Sequence, residues 1–178
     1  MLVKGMTASE VQVRAATATD QDAIWAILEP VIRAGETYAL DRQLDRRAAL
    51  GYWLAPAHSA FVAEQDGRIV GTYYLRANQA GGGDHVANCG YVTARGAEGR
   101  GIARAMALHS LAEARQRGFT AMQFNLVVAA NERAIALWRS LGFAIVGRLP
   151  SAFRHPRLGL VDALVMHRLL EPPAGDGG

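Results

Sequence analysis

The sequence predicts an α/β fold of the α+β kind, built on one mixed and mostly antiparallel sheet. Three observations predict it. Strand patterns come in runs, Asp66-Gly67 gives a hairpin signal between two of them, and amphipathic helices are interspersed rather than strictly alternating with strands as a doubly wound sheet requires. The 178 residues are 51% hydrophobic and 20% charged, which suits a single domain with a real core and excludes disorder for the body of the chain.

Residues 11–16 read as a first strand. Thr19-Asp20-Gln21-Asp22 resembles a capping box, and the helix it opens carries Ile24, Ile27, Leu28, Val31 and Ile32 at the spacing of one buried face. Gly35-Glu36-Thr37-Tyr38 breaks that helix, and residues 45–54 form a second. Residues 61–63 and 69–75 are the hairpin strands, 79–84 with their three glycines are a flexible loop, and 85–93 are the next strand. Past a glycine elbow and its helix come a strand at 119–128 and a short helix at 132–141, stopped by Gly142-Phe143. The last strands fall near 144–146 and 160–167. The expected organisation is an extension over 1–10, one domain over 11–170 and a disordered tail over 171–178, with no internal repeats.

The elbow is the most informative stretch. Val92-Thr93-Ala94-Arg95-Gly96-Ala97-Glu98-Gly99-Arg100-Gly101-Ile102-Ala103-Arg104 places a strand, a glycine-rich turn and a helix start in direct succession. Glycines let the backbone turn tightly, and the helix behind them points unpaired N–H groups and its positive dipole end at a ligand. That is a seat for a phosphate or pyrophosphate. A P-loop would need Lys-Ser/Thr after the last glycine, whereas Ile102-Ala103 follow here; a dinucleotide fold wants a third Gly or Ala where Arg104 stands.

Glu98-Gly99-Arg100-Gly101-Ile102-Ala103, followed by Asn131 and by Ala136-Leu137-Trp138-Arg139-Ser140-Leu141-Gly142-Phe143, resembles the GNAT superfamily of acyl-CoA-dependent N-acyltransferases. The resemblance spans residues 11–170 and implies helices on both faces of the sheet, with the strands at 85–93 and 119–128 splaying apart beyond the elbow. It implies acetyl-CoA as co-substrate, threaded through the gap: Gly99, Arg100, Gly101, Ile102, Ala103 and Arg104 on the pyrophosphate, Tyr91, Val92 and Thr93 along the pantetheine, Asn131 and Trp138 beside the cofactor arm. Two positions depart from the family pattern. Glu98 replaces the usual Gln or Arg and brings a negative charge, which Arg95, Arg100 and Arg104 can offset. Trp138 stands where the family often has a proton-donating Tyr, and an indole N–H is no acid near neutral pH, so a water or another tyrosine such as Tyr91 is left to protonate the thiolate.

Direct acyl transfer needs a neutral amine, and a protonated amine must first lose its proton. Several family branches place a Glu at the start of the strand before the elbow; counting back from Gly101 puts His85 there, a competent base near neutrality. Asn88 and Asn125 are a pair on the two splaying strands, each among apolar neighbours, and buried amides need partners, from backbone freed by the splay or from a substrate. A narrower resemblance of Asn88-Cys89-Gly90-Tyr91, Phe124-Asn125-Leu126-Val127 and Val161-Asp162-Ala163-Leu164 to fungal acetyltransferases of proline analogues such as azetidine-2-carboxylate favours the substrate role. Thr37, Tyr38 and one of the alternating pair Tyr73 and Tyr74, taken as Tyr73, are the candidate acceptor-binding residues. His109, Trp25, Trp53 and Tyr52 read as packing.

The expected reaction is transfer of acetyl from acetyl-CoA to a primary or secondary amine of a small, amino-acid-like acceptor, with residues 149–156 long enough to lid the site. A protein N-terminal or lysine acetyltransferase and a non-catalytic CoA sensor are the alternatives. The net charge of +3 is small and the arginines are scattered, which speaks against nucleic acid, and no apolar run approaches a membrane span. The histidines lack metal-ligand spacing, so no metal is expected. A single cysteine, Cys89, and the lack of a leader pattern fit a cytoplasmic protein. A homodimer is the assembly to test.

Overall fold

A computed structural model describes residues 10–170, so the expected extension, apart from Glu10, and the expected tail lie outside the described residues. In chain order it contains β1 (Gln12–Ala15), α1 (Gln21–Ala34), α2 (Arg46–Trp53), β2 (Ser59–Gln65), β3 (Arg68–Ala77) and β4 (Val86–Thr93). There follow α3 (Ile102–Gln116), β5 (Ala121–Val128), α4 (Glu132–Ser140), β6 (Ala144–His155) and β7 (Gly159–Leu169). The seven strands form one sheet in the order β1-β2-β3-β4-β5-β7-β6. Every neighbouring pair is antiparallel except β4 and β5, which run parallel because α3 carries the chain across between them.

The sheet buries both faces. On one side Phe61, Tyr73, Leu75, Met122 and Phe124 pack with Ile102 and Met106 of α3 and Trp138 of α4. On the other, Val62, Tyr74 and Val92 pack with Ile24, Ile27, Leu28 and Ile32 of α1 and Trp53 of α2. Period-two alternation along β2 to β4 produces this division, so adjacent residues such as Tyr73 and Tyr74 enter opposite cores.

Several expected boundaries move. The capping box lies two residues earlier than Thr19 and Asp22: the Asp20 carboxylate accepts from the Thr17 N–H at 2.7 Å and from the Thr17 hydroxyl at 2.9 Å. Arg14 reaches the same carboxylate with two nitrogens, at 2.8 and 3.0 Å, and its guanidinium holds the Asp20 carboxyl far below the ordinary carboxylate range. A bidentate ion pair to β1 therefore selects this start over the later one. Residues 81–83 of the glycine loop form a 3-10 turn. The largest change is β6, which runs to His155 rather than stopping at residue 146.

β4 and β5 are paired only at Val86 with Ala121 and Ala87 with Met122. Beyond those two pairs the strands part. On its far side β5 carries one extra residue against β7 between Phe124 and Val127, a bulge at Asn125 and Leu126 that bends β5 at this point.

Candidate active site

The parting of β4 and β5 opens a cleft of about 690 Å³, the range of small-molecule sites. One end meets the elbow and the start of α3. There Gly99 and Gly101 hold φ of +78° and +80°, left-handed values that side-chain-bearing residues rarely adopt, and Gly101 serves as the N-cap of α3. Because α3 begins in this way, its first N–H groups face the cleft, with Ala97, Gly99, Gly101, Ile102, Ala103 and Arg104 on the wall.

The charges at this end differ from expectation. Arg100 does not line the cleft; its guanidinium turns toward Asp66, 3.8 Å away, and only its main chain belongs to the elbow. Arg95 is exposed and also off the wall. Glu98 does line the cleft, but its carboxylate folds back to accept from the Gly96 N–H at 2.8 Å, so part of its charge is spent bracing the turn. Arg104 donates to Ser140 Oγ at 3.0 Å and ties α3 to α4. Arg133, on the exposed first turn of α4, lines the same end, a cation that nothing in the sequence distinguished from an ordinary helix-surface arginine.

Along the middle, the cleft is lined by Tyr91, Val92 and Thr93 of β4, by Asn131 at the N-cap of α4, and by Leu137 and Trp138 of α4. Past Ala87 the β5-facing main chain of β4 has no ladder partner, which leaves an edge for an extended chain to pair with. Asn131 caps α4, accepting from the Ala134 N–H at 3.2 Å, while also reaching the wall. The Trp138 ring lies 4.7 Å from Phe124 and 5.0 Å from Tyr91, centroid to centroid, as a packed side of the cleft. The Tyr91 hydroxyl points into the core, 2.6 Å from Ser110 Oγ, and burial raises it well above the usual phenol range. This removes Tyr91 as the acid that protonates a thiolate.

The other end gathers residues from distant parts of the chain. Thr37 and Tyr38, in the connection between α1 and α2, line it, and the Tyr38 hydroxyl donates to the Tyr91 carbonyl at 3.0 Å, clamping that connection over β4. Gly90 admits this clamp: a Cβ there would stand 2.6 Å from the Tyr74 ring and 2.9 Å from the Tyr38 hydroxyl. Asn88 and Asn125 both face the cleft. Asn88 donates to the Gln123 carbonyl at 2.9 Å, one residue past the last β4-β5 pair, so it satisfies backbone that the splay sets free. Asn125 donates to Asn78 Oδ1 at 2.7 Å and accepts from Gln123 Nε2 at 2.8 Å.

Three expectations fail here. Tyr73 is fully buried against α3, bonded at 2.7 Å to His109 Nδ1, and it is Tyr74 that lines the cleft. Both tyrosines sit in cores, so their parity could not be read from polarity. His85 is exposed ahead of β4, at the paired end of the strands, where its carbonyl accepts from the Thr120 N–H at 2.9 Å; it does not line the cleft. Residues 149–156 form no lid, because most of them belong to β6 at the sheet edge and none reaches the cleft. Tyr52, expected as packing, also lines the cleft, with its hydroxyl 3.2 Å from that of Tyr74, and Arg76 joins them without having been singled out. An arginine in the apolar run Tyr73-Tyr74-Leu75-Arg76-Ala77 was the available signal for one of them. His109, by contrast, is packed as expected, and burial lowers its pKa.

No His, Asp or Glu lines this end of the cleft. Burial raises the hydroxyls of Tyr38 and Tyr74 and pushes the Cys89 thiol up to about 12. Among the described residues no group of three or more His, Cys, Asp or Glu side chains is arranged to hold a metal ion, and no helix is long and apolar enough to cross a membrane.

Residues 22–143 match the family model described as Acetyltransferase (GNAT) family. The chain is 29% identical over 151 residues to the N-acetyltransferase aca1 of Schizosaccharomyces pombe, covering 75% of this chain and 72% of that one. The solved structure of a GCN5-related N-acetyltransferase from Kribbella flavida is 40% identical, with a TM-score of 0.86 over 90% of this chain and 98% of the other. The ribosomal-protein-alanine N-acetyltransferase of Brucella melitensis is 26% identical, with a TM-score of 0.78 over 89% and 99%. The elbow at a helix start, the splayed strands and these likenesses agree: the chain belongs to the acetyltransferase (GNAT) family and is an acyltransferase that takes its acetyl group from acetyl-CoA.

Proposed function

We propose that the protein acetylates the amine of a small, amino-acid-like molecule by direct attack on acetyl-CoA. In this reading the main chain of Gly99 to Arg104 holds the pyrophosphate, helped by the side chains of Arg104 and Arg133, while the open edge of β4 over Tyr91 to Thr93 pairs with the pantetheine arm. Asn131 and Trp138 flank that arm. The neutral amine attacks the thioester carbonyl, a C–N bond forms, the C–S bond breaks and the thiolate departs; the amine proton passes to water. A thiol with a pKa of about 8.5 is a tolerable leaving anion, so no tyrosine acid is required.

The observation that carries the small acceptor is the clamp of Tyr38 on the Tyr91 carbonyl, which holds the α1-α2 connection against β4 beside the acceptor end. Thr37, Tyr38, Tyr74, Asn88 and Asn125 line that end. A second reading, acetylation of a polypeptide N-terminus, is favoured by the Brucella relative, whose name gives a ribosomal-protein alanine as its acceptor. An amine panel followed by CoA thiol release separates them. Turnover of azetidine-2-carboxylate or other small amino acids, with none of alanine-initiated or lysine-containing peptides, is the expected result. Preference for the peptides overturns the small acceptor, and no release above background with any amine overturns direct transfer in favour of a CoA sensor.

A further inference from the structure

Arg76 lies on β3 directly across from Asn88 of β4, and its side chain lines the acceptor end of the cleft on the same sheet face as Tyr74. Its Nε is buried and has no hydrogen-bond partner, and among the described residues Arg76 makes no ion pair. Arginine elsewhere in this chain is used differently. Arg14 forks onto Asp20, Arg117 onto Glu113, and Arg148 reaches Asp162. A guanidinium carries five donors in a planar fork that matches a carboxylate, and a partly buried one without a counter-charge is costly to keep.

The amides around it have little left to offer. The Asn88 amide nitrogen is committed to the Gln123 carbonyl, and Asn125 is held on one side by Asn78 and on the other by Gln123. The only acid on the cleft wall is Glu98, at the elbow end and bonded to the Gly96 N–H. The acceptor end thus presents one cation with spare donors, fixed amides and no anion. From this arrangement we infer that Arg76 binds a carboxylate of the acceptor, which makes the substrate class amino and imino acids with a free carboxylate. The inference rests on the reading of this end as the seat of a small amine. Anchoring the carboxylate sets the neighbouring nitrogen at a fixed distance from β4, and the guanidinium also disfavours the protonated amine beside it.

The test compares free acids with their carboxamides, which keep the amine and lose the charge. Azetidine-2-carboxylate, proline and methionine, each with its amide, are assayed by CoA thiol release on the full chain and on Arg76→Gln and Arg76→Lys, with acetyl-CoA affinity by calorimetry reporting that each variant is folded. In the unaltered protein kcat/KM for an acid should exceed that for its amide by about thirtyfold, the value of a charge-assisted pair. Arg76→Gln should bring the two within about threefold, chiefly through KM for the acid, and Arg76→Lys should keep part of the preference as a point charge without the fork. If Arg76→Gln does not fold, the acid-to-amide ratio in the unaltered chain and in the lysine variant decides. Equal turnover of acids and amides by the unaltered protein, or an acid preference that survives Arg76→Gln, overturns the carboxylate site and leaves the small-amine reading standing. Turnover of neither acids nor amides overturns both.

Discussion

The two ends of the cleft are built from opposite materials. The elbow end is made of main chain from one short run: left-handed glycines at Gly99 and Gly101, and the first N–H groups of α3. The acceptor end is made of side chains from the α1-α2 connection, α2, β3, β4 and β5, held by hydrogen bonds such as Tyr38 to Tyr91 and Asn125 to Asn78. A ligand group common to every reaction of this type needs only a fixed main-chain seat, whereas a varying acceptor is met by replaceable side chains on a rigid sheet. The contrast predicts that damage to one end should leave the other measurably intact.

The largest effect should come from the wall that separates them. Trp138→Ala removes a ring packed on Tyr91 and Phe124 and should cost about 3–5 kcal/mol of stability, with acetyl-CoA affinity and kcat falling together. Trp138→Phe should keep most of kcat, since the ring acts by shape; a large kcat loss in that variant at unchanged KM would give the indole N–H a direct role.

At the acceptor end, Asn88→Ala orphans the Gln123 carbonyl and Asn125→Ala releases Asn78. Each should raise the acceptor KM or lower kcat and cost about 1–3 kcal/mol of stability for the unpaired group, with acetyl-CoA affinity unchanged in titrations on folded protein. Normal acceptor kinetics with only a lower Tm would make both asparagines structural. At the elbow end, Gly101→Val puts a β-branched residue at φ +80° and should weaken acetyl-CoA binding at least about tenfold, or 1.4 kcal/mol, while the acceptor KM at saturating acetyl-CoA stays put. Unchanged calorimetric affinity in a folded variant would remove the elbow from the cofactor site.

The gentlest test is pH. Tyr38 and Tyr74 are both raised by burial and Cys89 lies at about 12, so none of them ionises between pH 6 and 9 as a kinetic group. The neutral amine is the reactive form, so kcat/KM should rise with pH through the acceptor's own amine pKa and level above it, shifting when the acceptor is changed. An inflection that stays at one pH for acceptors of different basicity would reveal a base on the protein. A stability change of opposite origin accompanies acid: Asp20 is held below its unfolded value by Arg14, so its contribution is present above about pH 4 and drains away as pH falls through the folded pKa. Melting curves of Asp20→Asn should lack that acid-side loss.

Misreadings cluster where the sequence pattern is symmetrical or silent. Tyr73 and Tyr74 are 0% and 4% exposed, so a strand with two buried faces carries no polar alternation to say which tyrosine meets the cleft. β6 is mostly exposed along its length and offers no apolar period from which its extent could be counted. Counting along a strand puts His85 at the expected base position, yet a count gives distance along the chain and not which end of β4 stays paired. Thr17 and Thr19 both offer a capping box, and Arg14 from β1 chose between them.

What the sequence determined alone is what neighbours in the chain can build: the strand before the elbow, the left-handed glycines, the start of α3, and the Asn131 to Phe143 run that supplies a cap and a packed tryptophan. These depend on φ values, caps and helical spacing within a few residues of one another. Only the tertiary structure decided which strand face met the cleft, where β4 and β5 part, and that Arg76, Asn88, Asn125 and Tyr38 share one end of it. Those placements depend on strand register and on packing between segments 35 to 53 residues apart in the chain, for which short-range pattern carries no information.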